Sequence, residues 1–287
     1  MTSRTSARLC LLIAALLWST SGVFLKSLPS VHWLVIAGLR SLFAAALFLP
    51  GLTQPRLPRG KLLGAALLYA LMVSALMGSM QLGTAAQGIW LQYIAPAVVA
   101  LWVWLVYRQR LRPVETLALV LTLVAIALIV TGGHGPAHQH SLLLGLLSGL
   151  AFGLFILLLK SLGDTPPAAI YLWTNLATAA ILLPLALLLR VPLPTVPCDL
   201  VLLVAMGLAQ LALPYYFFQW GLARSRPVEA SLIILLEPIL NPIWVYLVVG
   251  EIPSPRVIAG CALLATALVA VALFPNTRRQ RSGTVIL

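Results

Sequence analysis

Apolar residues run through this chain in blocks of about twenty, interrupted at short intervals by proline, glycine and basic residues. A block of that length crosses a hydrocarbon core of about 30 Å as an α-helix. Within each block the apolar residues are continuous rather than alternating. The pattern therefore predicts helices and not barrel strands, because a helix satisfies its own backbone polar groups in lipid. The spans expected are 8–27, 31–50, 61–81, 86–107, 113–131, 142–162, 168–189, 199–221, 228–249 and 256–274. Turn-forming residues mark the breaks: Pro50-Gly51 and Pro55, Gly132-Gly133, Pro166-Pro167, Pro192 with Pro194 and Pro197, and Pro253 with Pro255. Connections this short leave no room for a water-soluble domain and make consecutive helices antiparallel neighbours.

Local matches repeat between the two parts of the chain. Leu25-Lys26-Ser27-Leu28 closes the first span and Leu159-Lys160-Ser161-Leu162 the sixth. Gln81-Leu82-Gly83 returns as Gln219-Trp220-Gly221, and Pro96 with Trp102 returns as Pro238 with Trp244. The separations grow in order, 134, 138 and 142 residues, as slightly longer connections in the second part require. The expected fold is an all-α membrane protein of about ten transmembrane helices, built as two inverted five-helix repeats over 1–137 and 138–287. The inversion follows from arithmetic: five is odd, so the second half enters from the opposite face.

Composition sharpens this picture. The chain is 61% hydrophobic and 8% charged over 287 residues, where a soluble domain carries about 25% charged residues. The net charge of +12 sits between the apolar blocks and forms no docking face, so no nucleic-acid partner is expected. It orients the helices instead. With the spans alternating, Arg4, Arg8, Arg56, Arg59, Lys61, Arg108, Arg110, Arg112, Lys160, Arg224, Arg226, Arg278, Arg279 and Arg281 share the N-terminal face, against Lys26, Arg190 and Arg256 on the other. That asymmetry places both termini in the cytoplasm. Arg4 and Arg8 followed by residues 9–18 look like the start of a signal peptide, but the apolar stretch continues to Lys26, so an uncleaved first span is expected. Cys10, Cys198 and Cys261 are scattered and read as reduced thiols.

Two charges fall near the middle of a span, Arg40 in the second and Glu237 in the ninth. A charge at the bilayer centre costs about 2.5–3.5 kcal/mol on insertion scales, so it persists when paired or when it lines a wet cavity. Their opposite signs suit a mutual ion pair that locks helix packing. They equally suit a site in which Arg40 binds a carboxylate and Glu237 an amine or a proton. Asn241 and Trp244 share the helical face of Glu237, and Pro238 and Pro242 free the carbonyls of Ile234 and Pro238 nearby. Further candidate liners are Gln210 and Tyr215 in the eighth span, Tyr171 and Asn175 in the seventh, and Tyr93 with Gln87, Trp90 and Gln92 in the fourth. For each of these an interhelical hydrogen bond is the plainer role. Trp102, Trp104 and Tyr107 read as an aromatic belt.

Gly145, Gly149 and Gly153 recur every fourth residue, a stripe that admits a close backbone neighbour, from the same chain or from a second copy in a homodimer. His134, His138 and His140 are expected in an external loop, joined by no Cys, Asp or Glu, so no metal site is expected. No HExxH, GxSxG or Walker A sequence appears in or beside a span, which disfavours an enzyme, ATP hydrolysis and any cofactor.

The chain resembles the EamA-like ten-span members of the drug/metabolite transporter superfamily through Trp18, Gly22 and Lys26, Leu39-Arg40, Glu237-Pro238 and Gly250-Glu251. Arg108-Gln109 stands where the first half would match Gly250-Glu251, so the acidic residue is missing there. The resemblance implies an inner-membrane carrier, commonly an exporter, of amino acids, related metabolites or toxic organic compounds. Trp18 joins the candidate substrate-binding residues on that ground. The reading that results is a secondary carrier working by alternating access, with small-molecule substrate and membrane lipid as its partners. A non-transporting scaffold or receptor is the alternative, and it needs no midspan charge.

Overall fold

The computed structural model describes residues 3–53, 58–108, 111–163, 165–225 and 227–274. Among these every element is helical. Among the described residues nine helices are long and apolar enough to cross a bilayer: α1 (Thr5–Lys26), α3 (Arg59–Leu82), α4 (Ala85–Val106), α5 (Pro113–Val130), α6 (Pro136–Ser161), α7 (Pro167–Leu188), α8 (Pro197–Leu222), α9 (Glu229–Val249) and α10 (Pro255–Leu273). Between α1 and α3 lies α2 (Trp33–Leu47), apolar but only 15 residues long.

Two of the ends that differ from the sequence expectation have a proline as their cause. The second span stops at Leu47 and continues as a 3-10 turn, Leu49–Thr53, because Pro50 has no N–H to extend the α-helical ladder. The sixth begins at Pro136 rather than 142, since proline in a first turn loses no helical hydrogen bond. His138 and His140 therefore stand on α6 and not in a loop, and a ring nitrogen of His138 lies 3.1 Å from the Val130 carbonyl.

Among the described residues, side-chain bonds between helix ends fall into two groups. At one end of the bundle Arg8 meets Glu229, Lys61 meets Ser161 and Arg112 meets Phe274. At the other, Lys26 meets Glu251, Ser30 meets Asp199 and Arg256 meets Thr131. Alternate crossing of the spans produces this sorting. Most of the closely packed helix pairs also map onto one another when α1–α5 is exchanged for α6–α10. The α3–α6 pair becomes α8–α1, α4–α6 becomes α9–α1, and α3–α7 becomes α8–α2, while α2–α7 and α5–α10 map onto themselves. This is an inverted two-repeat architecture.

The helices break where their prolines dictate. In α4 the helix stops at Gln92 and restarts at Ala95; in α9 it stops at Ile234 and restarts at Leu236. Each stop lies four residues before a proline, Pro96 or Pro238, whose missing N–H would have bonded that carbonyl. The two breaks are repeat equivalents. Around Pro214 the chain takes another solution, widening Met206–Ala212 into a π-helical segment. The break at Thr20 in α1 has no proline; Ser19 and Thr20 bond back to the carbonyls of Leu16 and Leu17 at 2.7 Å and loosen the ladder. Pro242, expected to free another carbonyl, is carried within a continuous α9 segment.

The glycine stripe of α6 is occupied by α4. A Cβ at Gly149 would lie 2.5 Å from the Leu91 carbonyl oxygen, one at Gly145 2.6 Å from a Leu91 methyl, and one at Gly153 2.7 Å from Val98. Gln87 donates to Ser141 at 2.8 Å and Gln92 to Ser148 at 3.2 Å across the same seam. Overpacking a seam this close costs about 1–3 kcal/mol. Gly149→Leu is accordingly expected to lower the thermal midpoint of the detergent-solubilised protein, while Gly60→Leu, with nothing within 4 Å of its Cβ, leaves it in place. Equal midpoints for the two variants would remove the seam from the packed interior.

Candidate functional site

The polar interior is built on Arg40. Its residue is 4% exposed, enclosed where α2 meets α3, α7 and α8. The π-helical segment of α8 brings the chain this close. A Cβ on Gly207 would sit 2.6 Å from the Arg40 carbonyl oxygen, so only glycine lets the two backbones meet. The same widened turn aims Gln210 inward. Arg40 Nη1 donates to Gln210 Oε1 at 3.3 Å and lies 3.6 Å from Met77 Sδ, and Gln210 Nε2 donates to the Trp18 carbonyl at 3.3 Å. That carbonyl is available because α1 breaks just beyond it.

Among the described residues no carboxylate pairs with Arg40. Among the described residues the ion pairs are Arg8–Glu229, Lys26–Glu251 and Arg112–Glu115, and Glu237 belongs to none of them. Arg40 Nε has no hydrogen-bond partner, and neither do three other buried polar atoms nearby: Ser41 Oγ on the same helix, Tyr69 Oη on α3 and Asn175 Oδ1 on α7. Tyr69, fully buried on α3, stands against Tyr215 and Asn175 without a well-formed bond to either. An unpaired cation, a phenol and an amide gathered in a low-dielectric interior form a site with polar capacity to spare.

Aromatic rings close this chamber towards the N-terminal face. Trp18 stands edge-on to Tyr215 with ring centroids 5.0 Å apart and lies 5.4 Å from Phe218. Tyr171 and Tyr215 lie 4.0 Å apart, and Phe48 packs 5.4 Å from Tyr171. Gln219 donates to the Tyr171 hydroxyl at 3.0 Å. The aromatic run of α8 divides as its length requires. Tyr215 turns inward, whereas Tyr216 is exposed and donates to the Leu47 carbonyl at 2.5 Å.

Glu237 occupies the first turn after the α9 break, and Tyr93 stands in the equivalent break of α4. The Tyr93 hydroxyl donates to Glu237 Oε2 at 2.8 Å, so the two interrupted helices meet through one charge-assisted bond. Asn241 and Trp244, read from the helical period as companions of Glu237, turn instead to the α1 break. Asn241 Nδ2 donates to Ser21 Oγ and Trp244 Nε1 to Ser19 Oγ, both at 2.9 Å. Gly22 lets α9 approach there, since its Cβ would lie 2.6 Å from Asn241 Oδ1. Asn175 is split: its Nδ2 donates back to the Tyr171 carbonyl at 2.8 Å, leaving Oδ1 free.

Arg40, Gln210, Trp18, Tyr215, Tyr171 and Asn175 are therefore gathered in one cluster. Tyr93 and Glu237 form a second, and Asn241 with Trp244 stitches α9 to α1. Tyr69 escaped the sequence reading; its signal is a lone phenol amid small and aliphatic residues of the third span. The contact between Lys26 and Glu251, 2.6 Å apart, also went unread, although both residues carry the family resemblance. A separate apolar groove of about 240 Å³ opens between α4, α9 and α10, walled by Trp90, Ile239, Pro242 and Cys261, and excludes both clusters.

Comparison with known proteins agrees with this architecture. The chain matches the EamA-like transporter family twice, over residues 5–131 and 139–273, one match for each set of five helices. No curated protein matches it. A solved structure described as "Crystal structure of protein" aligns over 96% of this chain and 99% of its own, with a TM-score of 0.65 at 19% identity, which is a likeness of fold. The protein is a multi-pass membrane protein of the drug/metabolite transporter type and belongs to the EamA-like transporter family.

Proposed function

We propose that the protein is a secondary carrier that exports a small organic metabolite across the inner membrane by alternating access, with both termini cytoplasmic. The observation that carries this reading is Arg40: a buried cation without a carboxylate partner, set among orphaned polar atoms where helices of both repeats meet. A scaffold gains nothing from such a group, because an uncompensated charge inside a membrane protein is a standing cost. A carrier uses it. The guanidinium supplies a fork of donors for a carboxylate, and the phenols of Tyr69, Tyr171 and Tyr215 offer further hydrogen bonds and ring faces. At the junction of the broken helices, Glu237 takes an amine or a proton, and Tyr93 steadies it. The excess of Lys and Arg on the N-terminal face supports the cytoplasmic placement of the termini.

Flux of labelled amino acids, other carboxylates and organic cations into proteoliposomes tests the proposal. Saturable flux is expected for at least one class. Losing a charged hydrogen bond is worth about 1.5–3 kcal/mol, so Arg40→Ala is expected to lower flux about 10- to 100-fold, and Arg40→Lys to recover part of it. Glu237→Gln removes the titratable group and is expected to abolish any dependence of flux on a pH gradient. Folded protein that moves none of these solutes, with Arg40→Ala indistinguishable from the parent in stability and binding, would favour the scaffold.

A further inference from the structure

The polar atoms left unpaired around Arg40 form a set with both senses of hydrogen bond. Arg40, Tyr69 and Asn175 stand on α2, α3 and α7, helices that pack against one another, and each residue is buried. Among the described residues nothing accepts from Arg40 Nε, a charged donor, and Tyr69 Oη brings a second, neutral donor without a formed bond. Asn175 contributes the opposite sense. Its Nδ2 donates to the Tyr171 carbonyl at 2.8 Å, which fixes the amide, so the unpartnered Oδ1 is an acceptor. Tyr69 stands against Asn175 without closing a bond to it, which leaves the phenol able to turn to an added group. Ser41 Oγ can give or take a hydrogen bond and discriminates nothing. The set therefore offers a cationic donor, a neutral donor and a fixed acceptor, in an interior where an unmade bond is costly.

A carboxylate alone answers only the donors. Its oxygens accept from Arg40 and Tyr69, while Asn175 Oδ1 stays unpaired beside an anion. A molecule that also brings a donor satisfies all three groups, and because Tyr69 stands against Asn175, that donor has to sit beside the carboxylate. Charge then decides which donor. Among the described residues Arg40 meets uncharged groups, Gln210 Oε1 and Met77 Sδ, so the carboxylate brings the filled chamber to neutrality. A hydroxyl keeps it neutral, whereas an ammonium restores a net positive charge at low dielectric. The acid that would offset an ammonium, Glu237, is bonded to Tyr93 in the other cluster. We infer that the chamber selects a 2-hydroxy carboxylate, whose carboxylate accepts from Arg40 and Tyr69 and whose hydroxyl donates to Asn175, the residue that sets the selectivity. Glu237 is then left to the proton rather than to an amine. This selectivity rests on the carrier reading above, whose substrate class it narrows.

Propionate, lactate and alanine test this selectivity, because they share one carbon skeleton and carry hydrogen, hydroxyl and ammonium at the same carbon. Binding is read from the rise in thermal midpoint of the detergent-solubilised protein with ligand concentration, which needs no transport. Lactate is expected to bind about tenfold more tightly than either of the others, the scale of one buried hydrogen bond. Asn175→Leu is expected to bring the lactate and propionate affinities together. Asn175→Asp is expected to raise the affinity for alanine relative to lactate, because the ammonium then has a charge partner; a folding defect produces no such gain. Propionate binding as tightly as lactate overturns the need for a donor, and alanine matching lactate overturns the neutral one. A lactate preference that survives in Asn175→Leu removes Asn175 from the site. If none of the three moves the midpoint while another solute is carried in proteoliposomes, the hydroxy-acid site fails and the carrier reading stands. Lactate binding as expected, in a protein that carries nothing, retains the site and removes the carrier reading.

Discussion

A backbone carbonyl without a donor is tolerable in water and expensive in a bilayer, and this constraint organises the polar interior of the protein. Pro96 and Pro238 each withhold the N–H that the carbonyl four residues earlier needs, and the helices stop there. Pro214 sits at the end of a π-helical turn. Polar and aromatic side chains gather at these interruptions: Tyr93 and Glu237 at the paired breaks, Gln210 on the widened turn, and Trp18 just before α1 breaks. Elsewhere the helices are uninterrupted packing surfaces, as the glycine seam between α4 and α6 illustrates. The break pattern determines where the interior is polar.

Much of this was legible without coordinates. Continuous apolar runs announce spans, because only length and continuity matter in lipid, and the repeated Leu-Lys-Ser-Leu segments reveal the two halves. Each proline announces the carbonyl that it deprives. What remained hidden was the partner of each polar group. The helical period correctly places Asn241 and Trp244 on one face with Glu237, yet a face about 100° wide can meet two different neighbours, and here it meets α4 through Glu237 and α1 through the other two. Tyr69 gave no periodic signal because a single phenol among alanines and leucines has no companion to share a stripe. Its importance comes from the depth at which α2 and α3 cross, which depends on packing. The start of α6 was missed for a local reason: His138 and His140 read as loop residues until Pro136 is seen to open a helix.

The molecule uses internal charge in two opposite ways. Lys26 and Glu251 are compensated twice over, by each other and by backbone groups, and their union is structural. Arg40 is compensated by a glutamine oxygen and left with capacity unused. Compensation favours one conformation, whereas incomplete compensation favours an added ligand. Both situations occur within one bundle because the ion pair sits at the helix ends, within reach of turn backbone, while Arg40 sits at a depth where the backbone is committed to helices.

The brevity of α2 reaches beyond the protein. Fifteen helical residues span about 22 Å, well short of a hydrocarbon core of about 30 Å, and the chain continues as a short turn with Leu49 and Leu52 exposed. Helices beside it are long enough to cross. A helix shorter than the core is met by local thinning of the bilayer or by its flanking residues, at a cost of fractions of a kcal/mol per Å, so bilayer thickness bears more on α2 than on its longer neighbours. Arg40 is carried on this same helix. Bilayer thickness therefore bears most on the element that holds the buried Arg40.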